Sequence, residues 1–209
     1  AQGFLYPDDL AWTFFGKEAK MNDTIQTIMT RRSIRKYKQD DIPQDVFQRI
    51  VDAGLYAPTA MGRQPWHVVV VQGLEKIAEL NREVKAATAR MPDNPYRDYV
   101  GNDAYAINFR NAPTFVIVSG NVELSPRNAP IDCALLLGNM FLAAHSLGIG
   151  SCWINQLGPL NDEPEFRKYM TQLGLPEGNK IFGSACFGYP DGQPPNAAPR
   201  KPGTVVFVR

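Results

Sequence analysis

The segment Arg31-Arg32-Ser33-Ile34-Arg35-Lys36-Tyr37-Lys38 places five cations in eight residues of a chain whose formal net charge is only +1. Such a knot repels itself unless an anion relieves it. The planar fork of arginine matches phosphate oxygens in pairs, and the Ser33 hydroxyl adds a donor between the arginines, so this segment suits the anchoring of a phosphate. The plainer reading is a solvated helix end, where cations favour the negative end of the dipole. Other chemistry is poorly supplied. The chain has no phosphate loop ending in Gly-Lys-Ser/Thr, no Rossmann glycine fingerprint, no Cys-x-x-Cys and no paired histidines at helical spacing. It has two histidines in all and no serine in a nucleophile elbow, so hydrolase logic fails too. A borrowed cofactor is the economical source of reactivity.

Three further stretches bear on which cofactor: Ala57-Pro58-Thr59-Ala60-Met61-Gly62-Arg63-Gln64-Pro65-Trp66, Gly148-Ile149-Gly150-Ser151-Cys152-Trp153-Ile154, and Pro199-Arg200-Lys201-Pro202. In this order and spacing, and together with the basic knot, they resemble the flavin (FMN)-dependent nitroreductase family over roughly residues 24–208. The resemblance implies FMN as cofactor and no catalytic side chain or metal, because the flavin carries the chemistry. It implies that Arg31, Arg32, Ser33 and Arg35 meet the phosphate and the negative charge that develops on the reduced ring. Pro58, Thr59, Ala60 and Gly62 match a segment that reaches the flavin from a second subunit, with Gln64-Pro65-Trp66 completing its signature. Trp153, Ile154, Asn155 and Gln156 match a strand end that runs along the isoalloxazine and aims a main-chain amide at its reactive nitrogen. Arg200, with Lys201, matches a basic pair closing on the phosphate. Ala60, Met61 and Gly62 depart from common members, where small polar residues are frequent.

By the same resemblance the chain would be a homodimer with FMN sites at the subunit interface. It would take hydride from NADH or NADPH and pass it to a nitroaromatic or quinone-type acceptor by a ping-pong mechanism. Flavin breakdown or reductive dehalogenation on the same fold stand as alternatives, as does a flavin-binding module without turnover.

Composition is compatible with such an enzyme. A chain of 209 residues, 44% hydrophobic and 21% charged, suits one domain with a substantial core. Near-neutral charge argues against nucleic acid as a partner, and no apolar run approaches the ~18 residues of a membrane span. Three cysteines, Cys133, Cys152 and Cys186, form neither a disulfide framework nor a zinc spacing, so a reducing, cytoplasmic setting is the default. Cys152, His67 and His145 read as structural residues.

The elements that must position these residues follow from periodicity. Asp23 or Thr24 can cap a helix with Ile25, Ile28 and Met29 on one buried face. Pro43 opens a second, buried through Val46, Phe47, Ile50, Val51 and Leu55. The run Val68 to Val71 predicts a central strand covered on both faces. A helix follows from Leu74 to about Arg90, then a mobile surface segment from Met91 to Asp103. Further strands are expected at 114–119, 149–154, 180–187 and 204–208, with helices at about 131–147 and 163–173. The first of these two helices is apolar nearly all round, so it needs cover from the sheet and from something else. The five prolines in 188–203 suit an extended arm. Together this predicts an α+β (α/β) sandwich with a mixed central sheet of about five strands flanked by helices. The domain covers residues 21–209. Residues 1–20 stand apart, either as a leader before an initiator at Met21 or as an arm packing its aromatics on the body or a second subunit.

Overall fold

The computed structural model describes residues 12–14, 17–19, 22–101 and 109–209. The chain divides into two compact units, Ala1–Arg31 and Arg32–Arg209. Most of residues 1–20, and with them the choice between leader and arm, lie outside the described residues. In the first unit Trp12–Phe14 (β1) pairs antiparallel with Lys17–Ala19 (β2). Asp23–Thr30 forms helix α1. Its cap is Asn22, whose Oδ1 accepts the Ile25 N–H at 2.9 Å, one residue earlier than the sequence suggested. Ile25, Ile28 and Met29 are exposed, so the expected burial of that face is not met among the described residues.

The second unit is built on four strands, Trp66–Gln72 (β3), Thr114–Asn121 (β4), Gly150–Ile154 (β5) and Asn179–Gly188 (β6), in the order β3-β4-β6-β5. Every pairing is antiparallel. The only parallel element among the described residues is an isolated bridge from Ser33 to Ser151 on the outer edge of β5. Four antiparallel strands therefore replace the expected five in a mixed sheet, because residues 204–208 form no strand pairing among the described residues. Nor is Val68–Val71 central. The run belongs to an edge strand, with Val70 37% exposed.

Successive residues of β4 serve opposite layers, as the two-residue period of a strand requires. Phe115 and Ile117 join Ile77, Leu80, Val84, Phe166 and Met170, which come from α3 (Leu74–Arg90) and α6 (Pro164–Gln172). Val116 and Val118 join Phe47, Ile50, Leu136, Leu137 and Met140, from α2 (Gln44–Leu55) and α5 (Ala129–Ser146). All four β4 residues are fully buried, each stabilising the fold by about 1.5–3 kcal/mol. The result is the helix–sheet–helix sandwich of an α+β fold. Leu55, read as core, is instead exposed at the end of α2. The segment after α3 contains a short helix, α4 (Arg97–Gly101), with Val100 and Asn94 buried, so its described part packs on the body. No helix among the described residues is long and apolar enough to cross a membrane.

Candidate active site

The basic segment is fastened along the ends of β5 and β6. Ile34 N–H donates to the Ser151 carbonyl at 2.9 Å, and Lys38 N–H to that of Tyr189 at 2.9 Å. Ile34 can lie this close because residue 150 is glycine; a Cβ there would sit 2.7 Å from Ile34 Cγ1. The Tyr37 hydroxyl donates to the Ile34 carbonyl at 2.6 Å, closing the segment on itself, and burial pushes that phenol far above its ordinary pKa. Tyr37 is thus a neutral strut.

What remains outward forms a cleft of about 380 Å³ lined by Ser33, Arg35, Lys36, Asp191, Gly192 and Gln193. Lys36 is neutralised by Asp191 at 2.7 Å, which holds the Asp191 carboxyl below its ordinary range. Arg35 is exposed and commits one Nη to the Ser33 carbonyl at a long 3.4 Å, leaving most of its fork directed outward. Arg32 is half-buried just before Ser33. Arg31 caps the end of α1 and belongs to the first unit. A second cleft, about 320 Å³, lies where β6 begins, between Asp162, Arg167 and Lys180. Its cations are already engaged: Lys180 with Asp162 at 3.2 Å, Arg167 with the carbonyls of Asn179 (2.6 Å), Pro176 (2.7 Å) and Glu177. The first cleft is the better anion site.

Trp153, Ile154, Asn155 and Gln156 leave β5 on the same edge, two to five residues beyond the Ser33 bridge. Trp153 is held edge-on to Phe141, ring centroids 6.3 Å apart, and its indole N–H donates to Asn155 Oδ1. Ile154 is core. The Gln156 side chain is buried with its Oε1 unpartnered among the described residues. Of these four, only the half-buried Trp153 and exposed Asn155 present side chains outward.

Pro58, Thr59, Ala60, Gly62 and Gln64 lie on the opposite edge of the sheet, in the turn before β3. Ser33 sits on the row Ser151, Phe187, Thr114, Gln72, whereas Trp66 pairs with Gly120 at the other end of β3. Strand and residue spacings put Ser33 about 25 Å from Trp66, whereas Trp153 and Ile154, on the rows of Val70 and Val69, lie three strand spacings, about 15 Å, from β3. The turn is unusual in backbone: Met61, Gly62 and Gln64 have φ of 57°, 64° and 45°. Three tethers shape it. Thr59 Oγ1 accepts the Gln64 N–H at 3.3 Å, Arg63 donates to the Leu124 carbonyl at 2.9 Å, and Asp132 Oδ1 accepts the Ala60 N–H at 3.3 Å. Asp132 is missing from the residues the motifs pointed to. Its signal was available, as the one charged residue in the apolar stretch that forms α5. Arg200 and Lys201 lie exposed in the C-terminal tail, where the Lys201 carbonyl accepts from the Thr204 hydroxyl at 3.4 Å.

The thiols offer no second chemistry. Burial, with Asp132 beside it, pushes Cys133 up to about 12, and burial raises Cys186 well above the ordinary thiol range. All three cysteines are free and buried.

Comparison with known proteins agrees with this fold. The NADPH-flavin oxidoreductase of Vibrio harveyi is 31% identical over 89% of this chain and 73% of its own. A crystal structure of a nitroreductase with bound FMN from Bacteroides fragilis superposes with a TM-score of 0.82 at 42% identity, covering 90% of this chain and 100% of that one. A nitroreductase with bound FMN from Desulfitobacterium hafniense gives 0.78 at 28%, covering 91% and 100%. The model of the nitroreductase family matches residues 28–189, which takes in the basic knot, the turn before β3 and the β5 edge but stops short of Arg200. On that span and that fold, the chain belongs to the nitroreductase family.

Proposed function

We propose that this chain is a homodimeric, FMN-dependent oxidoreductase that takes hydride from NADH or NADPH and reduces a nitroaromatic or quinone-type acceptor. One observation carries the reading: the residues suited to a flavin fall into two groups on opposite edges of one sheet, with β4 and β6 between them, so that one chain cannot hold a single ring system with both. Two copies would solve this, each lending its Pro58–Gln64 turn to the other's β5 edge. The surface is compatible, because α5 leaves Ile131 and Leu135 exposed beside Leu55 and Tyr56, and Val205 to Val208 at the chain end are 68–93% exposed. Such apolar area is the mark of an interaction face.

The residues present fit the cofactor. In the β5-edge cleft, the Ser33 hydroxyl and the outward fork of Arg35, with Arg32 before them, are charge-assisted donors of the kind a phosphate dianion takes. The half-buried Trp153, braced by Phe141 and bonded to the exposed Asn155, continues that edge. The incoming turn presents no polar side chain at Ala60, Met61 or Gly62, so its contribution is main-chain. Arg200 and Lys201 act from the tail of either copy. FMN, when bound, supplies the hydride acceptor and donor. With one open face the two substrates take turns, hence ping-pong kinetics. The three unpaired thiols suit a reducing, cytoplasmic setting.

The test is the absorption spectrum and mass of the purified protein, with flavin affinity in wild type and Arg35→Ala. We expect a yellow dimer, and roughly tenfold or greater loss of FMN affinity on removing the charged contact. A colourless monomer that takes up no FMN would overturn the reading.

A further inference from the structure

Asp132 is a charge in the wrong place for stability. It lies in the first turn of α5 and is 2% exposed. Its only recorded partner is the Ala60 N–H, at 3.3 Å, and Oδ2 is buried with no partner among the described residues. The N-terminal end of the helix favours the charge electrostatically. A buried carboxylate with a single long hydrogen bond nevertheless remains under-compensated, and an apolar residue would serve the core better. What Asp132 does hold is the Thr59–Gln64 turn, in which Met61, Gly62 and Gln64 adopt left-handed backbone conformations. L side chains adopt that region only under constraint. The Thr59 to Gln64 tether and the main-chain bonds from Gly62 N–H to Thr59 (3.2 Å) and Arg63 N–H to Ala60 (3.3 Å) close the turn on itself, Arg63 ties its far half to Leu124, and Asp132 ties its Ala60 end to α5.

We infer that Asp132 is a positioning residue, retained at a cost in stability to fix the main chain at Ala60–Gly62 for the ligand that the turn meets. This chain needs such a device because Ala60, Met61 and Gly62 carry no side-chain donor or acceptor, and Met61 points outward, 85% exposed. Whatever they offer a ligand comes from N–H and C=O groups, whose aim depends wholly on the backbone. That the ligand is FMN held by a second copy rests on the function proposed above; that Asp132 sets the turn does not.

Two readouts keep these apart. Hydrogen exchange at residues 59–64 and the thermal midpoint are measured in flavin-free wild type, Asp132→Asn and Asp132→Ala; FMN affinity is then measured in all three. The Asn variant keeps an oxygen acceptor for the Ala60 N–H and the Ala variant removes it. We expect Asp132→Ala to speed exchange in the turn by about tenfold and weaken FMN by about tenfold, with Asp132→Asn within about threefold of wild type on both counts. The thermal midpoint of either variant should stay within about 2 °C of wild type or rise. Unchanged exchange in Asp132→Ala, an Asn variant that behaves like Ala, or a large drop in midpoint would each overturn the positioning role. Wild type that binds no FMN would remove the flavin reading while the exchange data still decide the role of Asp132.

Discussion

Glu163 joins two helices at one point, and its removal has a calculable cost. It is 7% exposed, its Oε1 and Oε2 accept from Arg90 Nε and Nη2 at 2.7 and 2.8 Å, and Oε2 also accepts the Phe166 N–H at 2.7 Å. It is thus both the side-chain cap of α6 and the anchor for the last turn of α3. Losing a side-chain cap costs about 1 kcal/mol. The Arg90 side chain is 42% exposed and can rehydrate, so the lost ion pair adds at most about 1 kcal/mol. Glu163→Ala should therefore destabilise the flavin-free protein by about 2 kcal/mol, a fall in thermal midpoint of roughly 4–8 °C for a chain of this size. The pH dependence has a definite sign. Hydrogen bonds from Arg90, then from the Phe166 N–H, hold the Glu163 carboxyl below its ordinary 4.5. A depressed carboxylate stabilises the fold above its unfolded pKa and loses that contribution as pH falls through the folded value. The gap between wild type and Glu163→Gln should stay constant between about pH 6 and 8 and close below about pH 4. Thermal unfolding followed by circular dichroism measures both. A Glu163→Ala midpoint equal to wild type at neutral pH, or a gap that widens in acid, would refute the reasoning.

Other sites give sharper or smaller effects. A Cβ at Gly183 would lie 2.5 Å from Leu137 Cδ1 and 2.8 Å from Trp153 Cη2, so Gly183→Ala should destabilise by about 1–3 kcal/mol and shift the tryptophan emission, as read by urea unfolding and fluorescence. Met61 is exposed at φ 57°, so Met61→Gly relieves left-handed strain without losing packing and should stabilise by about 0.5–1 kcal/mol; an unchanged urea midpoint would contradict this. None of the candidate flavin residues is an acid or a histidine, so the rate of flavin reduction should be nearly flat from about pH 6 to 8. A bell-shaped profile that flattens in the His67→Gln, His145→Gln double variant would show a proton donor outside this site.

Local signals were legible where a single element decides them. Gly174, at φ 94°, ends the helix that Glu163 begins, and both were readable as stop and start; α3 occupies the span its periodicity marks. What failed depends on neighbours that no local pattern encodes. A β-branched run such as Val68–Val71 states that a strand is apolar but not how many strands flank it, and β3 proves to be an edge. Residues 204–208 alternate like a strand, yet a strand needs a partner, and none pairs with them among the described residues. The same limit applies to the site. The motifs named Ser33, Arg35, Thr59 and Trp153, but that these fall on opposite edges of one sheet follows only from strand order and register. Asp132 escaped because one acid in an apolar helix carries no spacing rule.

A bound flavin that works as a relay must be reduced by one substrate and reoxidised by the other. Protein loaded with FMN is mixed with NADH or NADPH without oxygen, the flavin absorbance is followed in a stopped-flow cell, and a nitroaromatic or quinone is then added. We expect rapid bleaching by at least one nicotinamide and recovery of the oxidised spectrum when the acceptor arrives. Flavin that stays oxidised for minutes with both nicotinamides, although FMN is bound, would contradict that expectation.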